Sequence, residues 1–234
     1  MNTNAGDFAV LIPACNEVET IGEVIRRVRK HTQRIIVVDD GSTDGTGDLL
    51  SRQKDVVVLT HAANRKKGAA LQTGMRHARE NGIACLITLD GDGQHDPDDI
   101  PHFLEAHAEG RGNLLVGTRF GVGGERPDQM PTVRQWSNKI SSWLISRLAG
   151  VGLQDIQCGY RLYETRILDL VTSEETGFNF ETEVVVKAAR AGLRVGQVPI
   201  RCLYPEGAER SRYRTFLDSW NIARAAVRSR WGRM

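Results

Sequence analysis

The stretch that decides the fold is Leu89-Asp90-Gly91-Asp92-Gly93-Gln94-His95. The apolar run before it, residues 84–89, is typical of a short buried strand, and residues 96–99 after it are typical of a helix start. Two carboxylates at a strand end, separated by a glycine, place hard oxygen ligands in one open crevice. Such ligands suit Mg²⁺ or Mn²⁺ that shares a phosphate-bearing molecule. A helix-capping acidic turn is the simpler interpretation, but the combination of strand, acidic motif and helix start favours a metal site.

A second strand, residues 34–38, ends in the acidic turn Asp39-Asp40-Gly41-Ser42-Thr43-Asp44-Gly45-Thr46. Asp-Gly turns are common, and Asp44 in such a turn can simply cap the next helix. A strand-end Asp39 is nevertheless well placed to accept hydrogen bonds from a base or ribose. The first apolar run likewise ends in a polar turn, Pro13-Ala14-Cys15-Asn16-Glu17. Because ligands of open α/β sheets bind at the carboxyl ends of strands, these turns together predict a nucleotide-binding edge.

Strand and helix patterns alternate through the first half of the chain. Helical spacing of apolar residues predicts helices over 19–31 and 67–81, and short apolar runs predict strands at 56–59 and 114–117. This order predicts an α/β fold with a mostly parallel central sheet and helices on both faces. In the second half we expect a Gly/Pro-rich lid over 121–131, a loop over 150–159, a strand at 195–200, and helices near 133–149, 180–191 and 214–230.

Composition sets further bounds on the class of protein. With 234 residues and 40% hydrophobic content, the chain is expected to form one α/β domain, residues 1–234. The formal net charge of +2 is too small to indicate nucleic acid binding. The four cysteines are widely separated and are expected to be reduced, as in a cytoplasmic protein. No signal peptide pattern and no apolar run of roughly 20 residues is present, so any membrane contact is expected to be peripheral.

Three blocks of this sequence resemble the signature blocks of family 2 glycosyltransferases with the GT-A fold. They are Ile12-Pro13-Ala14-Cys15-Asn16-Glu17, Val37-Val38-Asp39-Asp40-Gly41-Ser42-Thr43-Asp44-Gly45-Thr46 and Leu89-Asp90-Gly91-Asp92-Gly93-Gln94-His95. The chain is most similar to the dolichol-phosphate mannosyltransferase-like branch, over about residues 8 to 215. The resemblance implies inverting transfer of a sugar from a nucleoside-diphosphate-sugar to a polyprenyl phosphate. It also implies a donor-binding half, residues 1–120, and an acceptor-side half, residues 121–234.

The resemblance also implies roles for individual residues. The nucleotide-sugar is expected to contact Pro13, Asn16, Glu17, Asp39, Asp40, Lys67, Asp90, Glu183 and Arg210. The metal is expected to be held by Asp90, Asp92 and Gln94, with His95 beside it as a ligand or as structural support. The catalytic group is expected to comprise Asp92, Arg119, Arg134 and Asp155, with the two arginines neutralising phosphate oxygens.

The stretch Asp155-Ile156-Gln157-Cys158-Gly159-Tyr160-Arg161 resembles the Asp-x-x-x-Gly-aromatic-Arg block of the family. Its Asp155 leaves the nature of the acceptor open. If a soluble or glycan hydroxyl is the acceptor, Asp155 becomes the base that removes its proton. A phosphate acceptor is already an anion and needs no base, so Asp155 is then a residue that organises the site. A non-catalytic nucleotide-binding subunit is a third interpretation, against which the intact acidic motifs argue. The sequence lacks the Gln-x-x-Arg-Trp block of processive polysaccharide synthases, which argues against that class.

The last 25 residues carry an excess of positive charge. Residues 210–234 hold seven arginines and one acid, Asp218. Within them, Phe216, Trp220, Ala223 and Val227 form one apolar stripe at helical spacing. Such a helix docks on an anionic membrane surface or on a membrane partner, or it packs on the sheet as an ordinary closing helix.

Overall fold

The computed structural model describes residues 8–120, 132–170, 177 and 179–203, with only the backbone given for residues 132–137 and 170. The strands are β1 Phe8–Ala14, β2 Ile35–Asp39, β3 Val56–Thr60, β4 Cys85–Thr88, β5 Leu114–Thr118, β6 Arg161–Glu164 and β7 Val195–Pro199. The helices are α1 Ile21–Val28, α2 Thr46–Ser51, α3 Lys67–Glu80, α4 Ile100–Ala108, α5 Thr132–Ala149, α6 Ile167–Leu170 and α7 Asn179–Arg190. A single 3₁₀ turn, Pro97–Asp99, precedes α4.

The seven strands form one sheet in the order β3-β2-β1-β4-β6-β5-β7. All pairs are parallel except those made by β6, which runs antiparallel between β4 and β5. Both β1 and β2 are buried along their whole length, as expected for apolar runs covered on both faces. Ala14 pairs with Asp39 in the register of these two strands, so the turns that follow β1 and β2 begin side by side at the same edge of the sheet.

Helices cover both faces of the sheet. The chain passes from β1 to β2 to β3 in one direction along the sheet, and it then crosses back past β2 and β1 to β4. Because such connections are right-handed, α3 lies on the face of the sheet opposite to the one that α1 and α2 cover. Helix α1 buries Ile21, Val24, Ile25 and Val28, the residues whose spacing predicts it. Helix α3 lies so close to β1 that a Cβ on Gly74 would overlap the Leu11 side chain.

The predicted fold class is confirmed, with local differences. The sequence pattern did not predict β6 or α6, because β6 has only four residues and follows an irregular loop with no periodicity. The predicted helix 19–31 is shorter in the structure, where α1 ends at Val28. The predicted lid 121–131 and the predicted helix 214–230 lie outside the described residues. Nothing in the described ranges is both long and apolar enough to form a membrane-spanning helix.

Candidate active site

The acidic loop after β4 is held in shape by its own backbone. Asp92 Oδ1 accepts a hydrogen bond from the Gln94 amide at 3.0 Å, and Gly93 has the left-handed φ of 74° that this tight turn requires. Burial, together with the negative charge of Asp90, raises the pKa of Asp92 to about 6. The loop therefore brings the two carboxylates close enough for the charge of Asp90 to disfavour ionisation of Asp92.

His95 supports this loop through a hydrogen bond to its backbone. Its ring is buried, and Nδ1 accepts a hydrogen bond from the Asp90 amide at 3.1 Å. Burial lowers the pKa of His95 to about 4, so the imidazole is neutral and its proton lies on Nε2. With Nδ1 occupied by the backbone, His95 acts as the structural support considered above.

A buried cation lies between two carboxylates at the same edge. Lys67 Nζ is 2.6 Å from Asp90 Oδ1 and 3.3 Å from Glu181 Oε2. Burial alone would lower the pKa of Lys67, but the two carboxylates raise it above its usual value. Burial likewise opposes ionisation of Asp90, yet the ammonium of Lys67 keeps the pKa of Asp90 below its usual value. Lys67 thus fixes Asp90 in its charged form and orients it.

Gly159 makes room for this ion pair. A Cβ at this position would lie 2.5 Å from Lys67 Nζ and 2.9 Å from Asp90 Oδ2. The Gly159 carbonyl also accepts a hydrogen bond from Thr88 Oγ1 at 2.9 Å, which ties the loop before β6 to the end of β4. The glycine of the Asp-x-x-x-Gly-aromatic-Arg block is therefore required by close packing on the site.

The turns after β1 and β2 are linked by hydrogen bonds. Asn16 Oδ1 accepts from the Thr43 amide at 2.7 Å, and the Asn16 amide donates to Ser42 Oγ at 2.9 Å. Asp39 is buried and its Oδ1 accepts from the Ser42 amide at 3.0 Å. The predicted nucleotide edge is thus a connected pair of turns, with Asp39 at its centre.

Other residues predicted to contact the nucleotide-sugar lie along the same edge. Pro13 is in β1 opposite Val38, and the Glu17 amide donates to Thr46 Oγ1 at 2.9 Å. Asp40 is buried, and its Oδ1 lies 2.6 Å from His61 Nδ1 and accepts from the Arg65 amide at 2.9 Å. Asp40 therefore braces the loop that leads to α3, and its contact with a nucleotide stays a prediction.

Arg119 and Asp155 form a buried ion pair. Arg119 Nε and Nη2 donate to the two oxygens of Asp155 at 2.7 Å and 3.0 Å, and the Arg119 amide adds a bond of 3.3 Å. Burial opposes the charge of Arg119, but the carboxylate raises the pKa of the guanidinium above its usual value. Both Asp155 oxygens are engaged by one cation. This geometry suits a residue that positions Arg119 and is poor for a general base.

The arginine of the same block has a different role. Arg161 is fully buried and donates to three carbonyl oxygens, those of Ile156, Cys158 and Glu181, at 2.7 to 2.8 Å. It therefore fixes the irregular loop before β6 to the start of α7. The loop in turn presents Asp155 to Arg119.

Sequence reasoning missed Glu181. Glu181 is buried, pairs with Lys67, and its Oε1 has no hydrogen-bond partner, whereas the predicted Glu183 pairs with Lys187 at 2.7 Å one turn along α7. Both acids lie in the first two turns of one helix, and only the packing of α7 against the sheet shows which of them faces Lys67. Arg134 lies in the part of α5 for which only the backbone is described, and Arg210 lies outside the described residues.

Glu181→Gln is expected to lower kcat/KM for sugar transfer by at least about tenfold, because Lys67 and Asp90 lose one charge of their three-membered cluster. Glu105→Gln removes an exposed acid of α4 and serves as the control, with a change below about threefold expected. Steady-state kinetics of both variants checks the prediction. A Glu181 variant that keeps the kcat/KM of wild type would contradict the role of Glu181 in this cluster.

The residues present fit a divalent cation that is shared with a substrate. In the described part of the chain, no group of three or more His, Cys, Asp and Glu side chains is arranged to hold a metal ion. Mg²⁺ and similar ions are, however, commonly bound by one or two carboxylates together with substrate phosphates. Asp90 and Asp92 form such a pair of oxygen ligands in one tight loop, and burial together with the negative charge of Asp90 raises the pKa of Asp92 to about 6. The predicted third ligand, Gln94, is partly buried and follows the pair directly.

The sheet order and the carboxylates along its ligand edge define the class of nucleotide-diphospho-sugar transferases with the GT-A fold. The model of the family described as "Glycosyl transferase family 2" matches residues 9–171. The chain therefore belongs to glycosyl transferase family 2, and it is a glycosyltransferase.

Three similar proteins illustrate the relationship. An undecaprenyl-phosphate mannosyltransferase of Micrococcus luteus is 32% identical over 95% of this chain and 92% of its own length. A UDP-N-acetylglucosamine–dolichyl-phosphate N-acetylglucosaminyltransferase of Methanococcus voltae is 30% identical over 84% of this chain and 86% of its own. The crystal structure of glucosyl-3-phosphoglycerate synthase from Mycobacterium tuberculosis, with Mn²⁺, UDP and phosphoglyceric acid, has a TM-score of 0.69 at 22% identity and covers 96% of this chain and 78% of that one. This structural likeness confirms the predicted GT-A fold.

Proposed function

We propose that this protein transfers a sugar from a nucleoside-diphosphate-sugar to a polyprenyl phosphate, with inversion at the anomeric carbon. The proposal is supported by the two relatives, whose names give undecaprenyl phosphate and dolichyl phosphate as acceptors. The observation that carries it is the bidentate pairing of Asp155 with Arg119. A hydroxyl acceptor needs a base to remove its proton, whereas a phosphate monoester attacks as an anion.

The donor is proposed to lie along the edge formed by the turns after β1, β2 and β4. Asp39 accepts hydrogen bonds from the nucleoside, and Pro13, Asn16, Glu17 and Asp40 shape the pocket around it. Asp90, Asp92 and Gln94 would hold Mg²⁺ or Mn²⁺, and the ion would supply Lewis-acid stabilisation of the leaving nucleoside diphosphate. Lys67 keeps Asp90 ionised, and Glu181 completes that cluster.

The acceptor phosphate is proposed to bind near Arg119. Pairing with Asp155 uses Nε and Nη2 of the guanidinium, and it fixes the direction in which the rest of the group points. The positive charge of Arg134 and Arg210 is proposed to contribute to phosphate binding, and Glu183 to contact the sugar. With these roles we propose a donor-binding half, residues 1–120, and an acceptor-side half, residues 121–234. The enzyme is proposed to act in the cytoplasm, at the membrane that holds the lipid.

The two relatives use the same chemical class of acceptor but differ in the sugar that their names specify. The sugar is therefore the first variable to test. A thermal shift experiment with a panel of nucleotide-sugars, with and without Mn²⁺, identifies the donor because a bound ligand raises the apparent stability of the folded state.

With that donor and a short-chain polyprenyl phosphate, we expect a glycosyl phosphate product that is labile to mild acid. Reversed-phase chromatography of radiolabelled product checks this result, and dephosphorylated polyprenol is the matched control acceptor. Transfer to saccharides or small alcohols, with none to the lipid phosphate, would instead support the hydroxyl alternative. Donor binding without any transfer would support the non-catalytic alternative.

A further inference from the structure

Helix α5 has an unusual distribution of polar and apolar side chains. Its buried positions are mostly polar, namely Asn138, Ser141, Ser142, Ile145 and Ser146. Its exposed positions form one stripe at helical spacing, which we call the outer stripe: Lys139, Ile140, Trp143, Leu144 and Arg147. Ile140, Trp143 and Leu144 are 60%, 64% and 40% exposed. An ordinary surface helix has the opposite arrangement, with its apolar residues facing the core.

The buried polar side chains of α5 are explained by their hydrogen bonds to the loop before β6. Ser142 Oγ accepts from the Ile156 amide at 3.0 Å, and Ser146 Oγ donates to the Leu153 carbonyl at 2.7 Å. Ser141 Oγ accepts from Gln157 Nε2 at 2.9 Å. These serines satisfy polar groups of the loop that carries Asp155. Among the described residues, no comparable contact explains the three large apolar side chains on the opposite face.

We propose that the outer stripe is a membrane-docking surface that contacts an anionic lipid bilayer. Trp143, with an apolar body and one N–H donor, is the kind of side chain that lies at a membrane interface. Ile140 and Leu144 lie beside it, and Lys139 and Arg147 lie one turn to either side, where they meet anionic headgroups. The stripe contains no acid, so its charge is complementary to such a surface.

The same charge argues against self-association through this face. A twofold pairing of the outer stripe would place Lys139 and Arg147 against the cations of the second copy, with no carboxylate on the stripe to compensate. An anionic lipid surface meets both requirements, apolar contact and negative charge.

Docking here holds the Asp155 loop one helix diameter, about 10 Å, from the bilayer. The stripe and the Asp155 loop lie on opposite sides of one helix, and Lys139 Nζ also lies 5.6 Å from the ring of Phe120, the neighbour of Arg119. The proposal depends on the proposed function in one respect, that the acceptor phosphate lies at a bilayer surface. The docking itself is tested without any acceptor.

Flotation of the full chain with vesicles at low salt is the direct test. Wild type is expected to bind phosphatidylcholine vesicles containing phosphatidylglycerol at least tenfold more tightly than vesicles of phosphatidylcholine alone. The triple variant Ile140→Gln, Trp143→Gln, Leu144→Gln is expected to lose at least tenfold in binding. The double variant Lys139→Gln, Arg147→Gln is expected to lose the preference for anionic lipid.

Matched controls lie elsewhere on the surface. Val57 is 42% exposed on β3, so Val57→Gln controls for the loss of apolar surface, and Arg52→Gln with Lys54→Gln controls for the loss of charge. Both controls are expected to bind vesicles as wild type does. Unchanged binding of the triple variant, or equal losses in the controls, would overturn the proposal. So would a dimer of the wild type, without vesicles, that the triple variant converts to a monomer.

The acceptor assay separates this proposal from the proposed function. With a water-soluble short-chain acceptor the triple variant is expected to keep its rate, and with long-chain acceptor in vesicles it is expected to lose at least tenfold. Wild type that floats but transfers to neither acceptor contradicts the function and leaves the docking surface supported. Wild type that transfers to the soluble acceptor but ignores anionic vesicles contradicts the docking surface alone.

Discussion

Asp92→Asn is expected to lower the rate of sugar transfer by more than about a hundredfold, because metal stabilisation of a leaving group contributes several kcal/mol. The variant keeps the shape of the side chain and the hydrogen bond from the Gln94 amide, so the loop conformation is retained. It removes the negative charge that a divalent ion requires. Initial rates at saturating donor and Mn²⁺ check the prediction, and more than about a tenth of the wild-type rate would contradict it.

Stability measurements show whether the loss comes from chemistry or from misfolding. The pKa of Asp92 is raised from 3.8 to about 6, so the folded state binds this proton more tightly than the unfolded state does. Protonation of Asp92 therefore contributes to the free energy of unfolding, in full below about pH 4. This contribution is lost as the pH rises through about 6. Asparagine does not titrate. Without metal, the free energy of unfolding of Asp92→Asn relative to wild type is therefore expected to increase between these two values.

Urea unfolding with a chelator at several pH values measures this difference. The comparison with wild type matters because the lowered pKa of His95 gives a slope of opposite sign in the same pH window, and the two contributions partly cancel. Asp55→Asn, at an exposed position before β3, is the control and is expected to change neither rate nor stability. A variant that is less stable than wild type at pH 8 would show that Asp92 has a structural role.

The fold was largely predictable because most of its strands are short apolar runs, and acidic turns follow two of them, β2 and β4. The sheet edge that collects Asp39, Asp90 and Asp92 follows from parallel strands alone. The position of Glu181 was not predictable, since two acids in one helix start differ only in which of them faces Lys67. The antiparallel strand β6 and the exposed apolar face of α5 were missed for a related reason: both depend on tertiary packing around an irregular loop, which periodicity does not describe.

Asp155 was predicted as a site residue, but its role could not be predicted from the sequence pattern. Its position in a recognisable block indicated an organiser or a base, and the residue pattern left both open. The distances to Arg119 favour an organiser, because both oxygens of the carboxylate already accept hydrogen bonds from one guanidinium. The sequence pointed to the residue, and its role as an organiser is a proposal that the geometry supports.

Asp155→Asn is expected to lower the free energy of unfolding by about 3–5 kcal/mol, because it leaves the buried guanidinium of Arg119 without a counter-charge. Transfer to polyprenyl phosphate is expected to fall with it, since Arg119 loses the contacts that orient it. Urea unfolding and initial rates check both effects. Glu23→Gln breaks an exposed pair with Arg26 and is the control, for which no measurable loss of stability is expected.

A double variant separates stability from function. Replacing both partners, Arg119→Met with Asp155→Leu, removes the uncompensated charge and is expected to recover most of the stability lost in Asp155→Asn. Transfer is expected to stay low, because the cation that we propose to bind the acceptor phosphate is gone. If Asp155 were instead the base for a hydroxyl acceptor, wild type would transfer the sugar to that hydroxyl, and Asp155→Asn would lose this transfer in addition to the loss of stability. Stability of Asp155→Asn within about 1 kcal/mol of wild type would therefore contradict the organising role, since a broken buried pair costs several times more.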